Sequence, residues 1–333
     1  MKNLYRQFLY TEMFRTDINK IIKTTAIAAA LLLTILSAGR FAAAAKPSAD
    51  QLNLFRPSTG TFYSQTPEGA GSFTAIRWGL ASDVLVPADY DGDGITDAAV
   101  WRPETGYWYI QPSGNGGTVY IKWGLTTIYP TGGLPDVPVP ADYDGDGRAD
   151  IAVWRPDTGE WFVLNSSQNY DQDKASVYRW GKLGDVPVQQ DYDGDGRTDF
   201  AIFRSIERNW YIFESSTKNW RVHTFGLAGT DMLVPSDYTG DGKADVAVYR
   251  SGIWYVLNSE TGETEPFQLG FTDAIAAPGD YDGDGQTDFA VFRKGVWYIH
   301  DSVAPQLRTI NFGSDGDIPL NSLHAKASIV AVP

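Results

Sequence analysis

The stretch DYDGDGRADIAVWRPDTGEWFVL, residues 142–164, decides how this chain is read, because it returns along the sequence. It recurs as DYDGDGITDAAVWRPETGYWYI (89–110), DYDGDGRTDFAIFRSIERNWYIF (191–213), DYTGDGKADVAVYRSGIWYVL (237–257) and DYDGDGQTDFAVFRKGVWYI (280–299). A sixth copy without the acidic loop is ADQLNLFRPSTGTFY, residues 49–63. The arginine after each apolar run marks the register at Arg56, Arg102, Arg155, Arg204, Arg250 and Arg293, with spacings of 43 to 53 residues. That period suits four short strands and their turns. In the quoted unit the strands are DVPVPADY (136–143), DIAVWR (150–155), EWFVLN (160–165) and ASVYRWG (175–181), rich in valine, isoleucine and aromatics and punctuated by Pro, Gly and Asp.

No stretch after Ala45 has sustained helical periodicity, so the fold class is all-β. Radial stacking of six four-stranded sheets gives a β-propeller with few exposed edges. The ends are complementary: TINFG (309–313) leads to a lone first strand, DIPLN (317–321), and the N-terminal copy begins at its second strand. N- and C-terminal strands are therefore expected to close the sixth blade. KASIVAV (326–332) resembles KADVAV (243–248) and competes with residues 50–55 for the second-strand place.

Residues 1–45 read as a signal peptide. A basic lead-in of Lys2, Arg6, Arg15, Lys20 and Lys23 precedes an apolar run from Thr24 to Ala38, then Ala42–Ala45. About 15 apolar residues fall short of the roughly 20 that span a bilayer. Secretion to the extracellular side is expected, with the periplasm as alternative and no membrane insertion of the mature chain. Residues 46–333 form a single propeller domain. With no cysteine there is no disulfide framework and no thiolate chemistry, and the histidines are only His223, His300 and His324. The full chain has 41 acidic and 27 basic side chains, which argues against nucleic acid as partner.

Nineteen of the acids lie in five loops of the form Asp-x-Asp-x-Asp-Gly-x-x-Asp. Side-chain oxygens at positions 1, 3, 5 and 9 and a backbone carbonyl at position 7 suit a hard cation, and glycine at 6 permits the turn. The ligand sets are Asp89, Asp91, Asp93, Ile95 and Asp97; Asp142, Asp144, Asp146, Arg148 and Asp150; Asp191, Asp193, Asp195, Arg197 and Asp199; and Asp280, Asp282, Asp284, Gln286 and Asp288. The fourth loop has Asp237, Thr239, Asp241, Lys243 and Asp245, and with threonine at position 3 it should bind most weakly. Calcium, about five ions, is expected over magnesium because dense carboxylates form a flexible cage. An EF-hand is excluded at position 12, where Val100, Val153, Ile202, Val248 and Val291 replace the bidentate glutamate. Metal-free Asp/Gly turns are the competing reading. Converging carboxylates without a cation would repel.

These units resemble the FG-GAP/VCBS repeat of integrin α-chain-like β-propellers, especially the tandem form of secreted bacterial proteins, over about residues 49–322. The resemblance implies structural calcium in the hairpin between first and second strands. It also implies an extracellular binding or adhesion role toward glycans or cell-surface proteins. Related propellers usually have seven blades, where six units are visible here. The family's strand order would put the calcium hairpins and the turns after the third strands on one face, with the inter-blade linkers on the other. One linker is enlarged, LTTIYPTGGLP (125–135), and SSQNYDQDK (166–174) is inserted on the calcium face; each is either a binding loop or tolerated surface variation.

Trp108, Trp161, Trp210, Trp254 and Trp297 share one repeat position, and Trp78, Trp123 and Trp180 another, as inter-blade core would. Trp220 and Tyr129 break the template and are the ligand candidates. The six arginines are expected to tie blades or loops together through carboxylates. No Gly-x-Ser-x-Gly, His-Glu-x-x-His or phosphate loop is present, so no enzyme is expected. The alternative is a secreted polysaccharide hydrolase or lyase using acids outside the loops, such as Asp136 or Asp185.

Overall fold

The computed structural model describes residues 49–68, 71–114, 116–126, 133–303 and 305–322. The signal segment, Tyr129 and KASIVAV lie outside them. The described residues form six four-stranded antiparallel sheets, the blades of a β-propeller. Blade 2 contains Val137–Pro138, Ile151–Arg155, Glu160–Leu164 and Ser176–Arg179, paired in that order. The second strand is buried on both faces because each blade is sandwiched by its neighbours, which explains its unbroken apolar run. The third alternates, turning its tryptophan inward, and the fourth is the exposed outer edge.

The closing blade settles which terminal segment is used. Leu52–Arg56 is its second strand and pairs with Ile318–Pro319, Leu54 opposite Pro319 and Phe55 opposite Ile318. Residues 52–56 hold this place because Leu52 and Leu54 are fully buried against Phe292 and Trp297 of blade 5.

Six apolar clusters fill the six boundaries between neighbouring blades. The five tryptophans of the third strands have no exposed surface, as expected of core. Trp78, Trp123 and Trp180 each donate an indole N–H across a boundary, to the carbonyls of Tyr109, Phe162 and Tyr211 at 3.0–3.1 Å. A second kind of tie links the acidic loops. The N–H at position 8 of one loop donates to the position-1 carbonyl of the loop before: Ala149 to Asp89, Thr198 to Asp142, Ala244 to Asp191 and Thr287 to Asp237, at 2.7–2.8 Å. Asp50 takes this place in the closing blade and donates to the Asp280 carbonyl at 2.7 Å.

The arginines act within a blade rather than between blades. Arg102 holds Asp83 through Nε and Nη2 at 2.8 and 2.9 Å, and the same fork joins Arg155 to Asp136, Arg204 to Asp185, Arg250 to Asp231 and Arg56 to Asp317. Each of these aspartates also accepts a backbone N–H from the linker entering its blade, for example Leu80 to Asp83 and Leu125 to Asp136. The arginine thus fixes linker to second strand, stacked on a third-strand ring such as Tyr109 or Phe162.

Candidate metal centres

Each acidic loop is a tight hairpin between first and second strands. Gly92 and Gly94 both have φ of +81°, a region L side chains avoid, so positions 4 and 6 both need glycine. These turns aim N–H groups inward. Asp89 accepts from Gly92 at 2.6 Å and from Gly94 at 2.8 Å, and Asp142, Asp191 and Asp237 repeat the arrangement. The tyrosine at position 2 anchors the loop beneath. Tyr90, Tyr143, Tyr192, Tyr238 and Tyr281 each donate their hydroxyl to the carbonyl four residues earlier, at 2.6–2.8 Å.

Position 9 forms the floor. Asp97, Asp150, Asp199, Asp245 and Asp288 are buried, and in each one oxygen accepts the N–H of the position-2 tyrosine at 2.8–2.9 Å. The other oxygen accepts from a serine after the third strand, Ser113, Ser166, Ser215, Ser259 or Ser302, at 2.6–2.7 Å. These serine hydroxyls reach position 5 as well, bonding Asp93, Asp146, Asp195, Asp241 and Asp284 at 2.6–2.8 Å. The turn after the third strand therefore lies on the acidic loop, on the face expected for it. Sequence reading missed these serines because they stand 16 residues after position 9 in three blades and 14 in two. The shift follows the length of the second hairpin, and aligning from the third-strand tryptophan, which stands five residues before the serine in all five blades, would have removed it.

Carboxylate oxygens converge within 4.8 Å in four groups: Asp89, Asp91 and Asp97; Asp142, Asp144 and Asp146; Asp191, Asp193 and Asp199; Asp280, Asp282 and Asp288. Positions 1 and 3 join every group, position 9 three of them and position 5 one. Among the described residues the fourth loop forms no such group, as threonine at its third position leads one to expect. All donors are oxygen, and an oxygen already accepting an N–H keeps a second lone pair, so the residues fit a hard cation. Burial lifts the acids at position 9: Asp97, Asp150 and Asp288 to about 6 and Asp199 to about 7. At position 7, Arg148 pairs with Asp146 at 2.7 Å, and its stem covers Gly92 of the preceding loop, where a Cβ would lie 2.8 Å from Arg148 Cγ. Arg197, Lys243 and Gln286 cover Gly145, Gly194 and Gly240 in the same way.

A model of the FG-GAP-like repeat family matches residues 89–153 and 237–291. The chain is a β-propeller carrying FG-GAP-like repeats. No curated protein matches it in sequence. Among solved structures, TolB from Acinetobacter baumannii is 16% identical to this FG-GAP propeller, covering 81% of this chain and 65% of that one, with a TM-score of 0.54. A lectin from Agrocybe aegerita, described for recognition of non-reducing terminal N-acetylglucosamine, is 16% identical over 82% of this chain and 78% of that one, with a TM-score of 0.49. At such identities the likeness to TolB shows the fold alone.

The remaining site expectations divide. Trp220 is 63% exposed on the outer strand of blade 3, and it does not line the central cavity of the propeller. Tyr129 lies outside the described residues. The insertion 166–174 folds back on the metal-loop face, where the Tyr170 hydroxyl reaches the Ala149 carbonyl at 3.0 Å and Gln172 reaches that of Lys122 at 3.1 Å. That segment braces blade 2 against blade 1. Among the described residues no helix is long and apolar enough to cross a membrane.

Proposed function

We propose that this FG-GAP propeller is an exported, calcium-stabilised binding module, presenting a rigid surface to glycans or cell-surface proteins, and that it is not an enzyme. The observation that carries the reading is the convergence of three carboxylates in each of four equivalent loops. Calcium suits them better than magnesium, because the cage is built from a flexible loop with many anionic oxygens rather than from a few ligands plus water. The position-7 carbonyls of Ile95, Arg148, Arg197, Lys243 and Gln286 would complete the shells, with the fourth loop the weakest. Export is supported by the basic lead-in and short apolar run of residues 1–45. The hydrolase alternative loses its suggested acids, since Asp136 and Asp185 are buried and spent on Arg155 and Arg204.

The test is a calorimetric melt of the mature chain with 1 mM calcium and with EGTA. Chelation should lower the melting temperature substantially; an unchanged value overturns the calcium reading. Glycan arrays probed with and without calcium then address the partner, and silence in both conditions removes carbohydrate and leaves a protein.

A further inference from the structure

The first strands of blades 1 to 3, with Asp50, Leu320 and Asn321 of the closing blade, enclose a cavity of about 460 Å3 on the metal-loop side. Its wall is not uniform. Two residues before each loop's first aspartate the chain has Pro87, Pro140, Pro235 and Pro278, but in blade 3 it has Gln189. Gln189 lines the cavity and is only 6% exposed. Its amide bonds no described residue and is reachable from the cavity, whereas the neighbouring Gln190 donates to the Pro235 carbonyl at 3.4 Å. A glutamine in a place that elsewhere holds proline thus gives the cavity wall an amide, with donors and an acceptor that an occupant can bond.

We propose that this cavity binds an uncharged, hydroxyl-rich solute of monosaccharide size, oriented by the Gln189 amide. The proposal deepens the binding role above and rests on it. The volume lies in the range of small-molecule sites. Gln189, Thr96, Thr198 and Asn321 offer both donors and acceptors, and Pro87 and Pro140 offer flat C–H surface. In the calcium-loaded chain the loop acids Asp89 and Asp142 would be compensated by the ion, Asp50 accepts the Asp280 N–H at 3.0 Å, and the cavity's one cation, Arg148, is held by Asp146, so neither an anion nor an ammonium meets an uncommitted counter-charge.

The test uses the mature, calcium-loaded chain in saturation-transfer NMR and titration calorimetry, with D-glucose and myo-inositol as probes and glucuronate and glucosamine as charged comparators. Gln189→Pro restores the residue found in four other blades and should fold normally. Gln189→Leu keeps side-chain volume without the hydrogen bonds. At least one neutral probe should bind, about tenfold weaker to both variants, with the charged comparators weaker still. The proposal is overturned if no neutral probe binds, if both variants bind like the parent, or if either charged sugar binds as tightly. Glycan or surface-protein binding that persists in Gln189→Pro while no neutral probe binds would remove the cavity site and leave the binding role intact. An EGTA-insensitive melt would instead remove the calcium reading.

Discussion

Asp199 spends both carboxylate oxygens on backbone N–H groups, those of Tyr192 and Ser215, while standing beside Asp191 and Asp193. Desolvation by burial raises its pKa to about 7, and those of Asp97, Asp150 and Asp288 to about 6, from an ordinary 3.8. Without metal, these groups favour the fold below about pH 4, where they are protonated in both states. They lose that contribution as pH rises through 6 to 7 and unpaired charge accumulates. A bound cation reverses the balance by requiring the ionised form. The calcium-induced rise in melting temperature should therefore be larger at pH 7.5 than at pH 5, and equal rises at both would refute the assignment. Gly279 carries a different constraint. A Cβ there would lie 2.8 Å from Asp50 Oδ2, 2.9 Å from Asn321 Nδ2 and 3.0 Å from Cζ of the buried Tyr281, so Gly279→Ala should cost about 1 kcal/mol in a denaturant titration, chiefly by crowding the Tyr281 ring.

At the scale of strands and linkers, blade 5 departs from the others. Asp83, Asp136, Asp185 and Asp231 stand 19 residues before their arginines, but in blade 5 that place is Ala274 and the acid is Asp273, one residue out of step. Asp273 is accordingly 46% exposed, though still paired with Arg293 at 2.7 Å, and Arg293 lies over Phe271 rather than a third-strand ring. Asp185→Asn should destabilise by about 2 kcal/mol, because it weakens a charge fork and a linker bond in a buried place. Asp273→Asn should leave the denaturation midpoint nearly unchanged, and equal losses in the two variants would contradict this picture. Strands and acidic loops were legible in the sequence because alternation and the spacing of aspartates follow directly from backbone geometry. The arginine's partner was not read, although the separation of 19 recurs in four blades, because Asp136 and Arg155 stand on opposite sides of the acidic loop and meet only when the first two strands pair. The arginines were expected to tie blades or loops together through carboxylates; the fork is indeed to a carboxylate, and it joins the second strand to the linker of its own blade rather than to the next blade.

For the whole ring, the acids that dominate the composition are concentrated in loops that touch in series, so metal loading should be felt globally. With loop affinities near 0.1 mM, 1 mM calcium contributes about 1.4 kcal/mol per loop. Four such loops would then raise the melting temperature of a chain this size by on the order of 10 °C. Six blades and their closure by terminal strands were readable from the repeat register, whereas the segment that fills the second-strand place was not, because residues 50–55 and KASIVAV both suit it. Burial of Leu52 and Leu54 shows residues 52–56 there. The loop-to-loop N–H bonds span the five boundaries from blade 1 round to the closing blade, and the indole of Trp78 bonds across the sixth. Trp78→Phe should accordingly speed amide hydrogen exchange in Val84–Leu85 and Ala98–Arg102 more than in Val246–Arg250. Protection lost equally in all three would tell against it. The bond from Asp50 to Asp280 also sets an order of events in time. A chain made from its N-terminus can brace each of the first four acidic loops as soon as the next blade emerges. The fifth is braced instead by a residue made long before it, so its completion reports that the first and last blades of the ring have met.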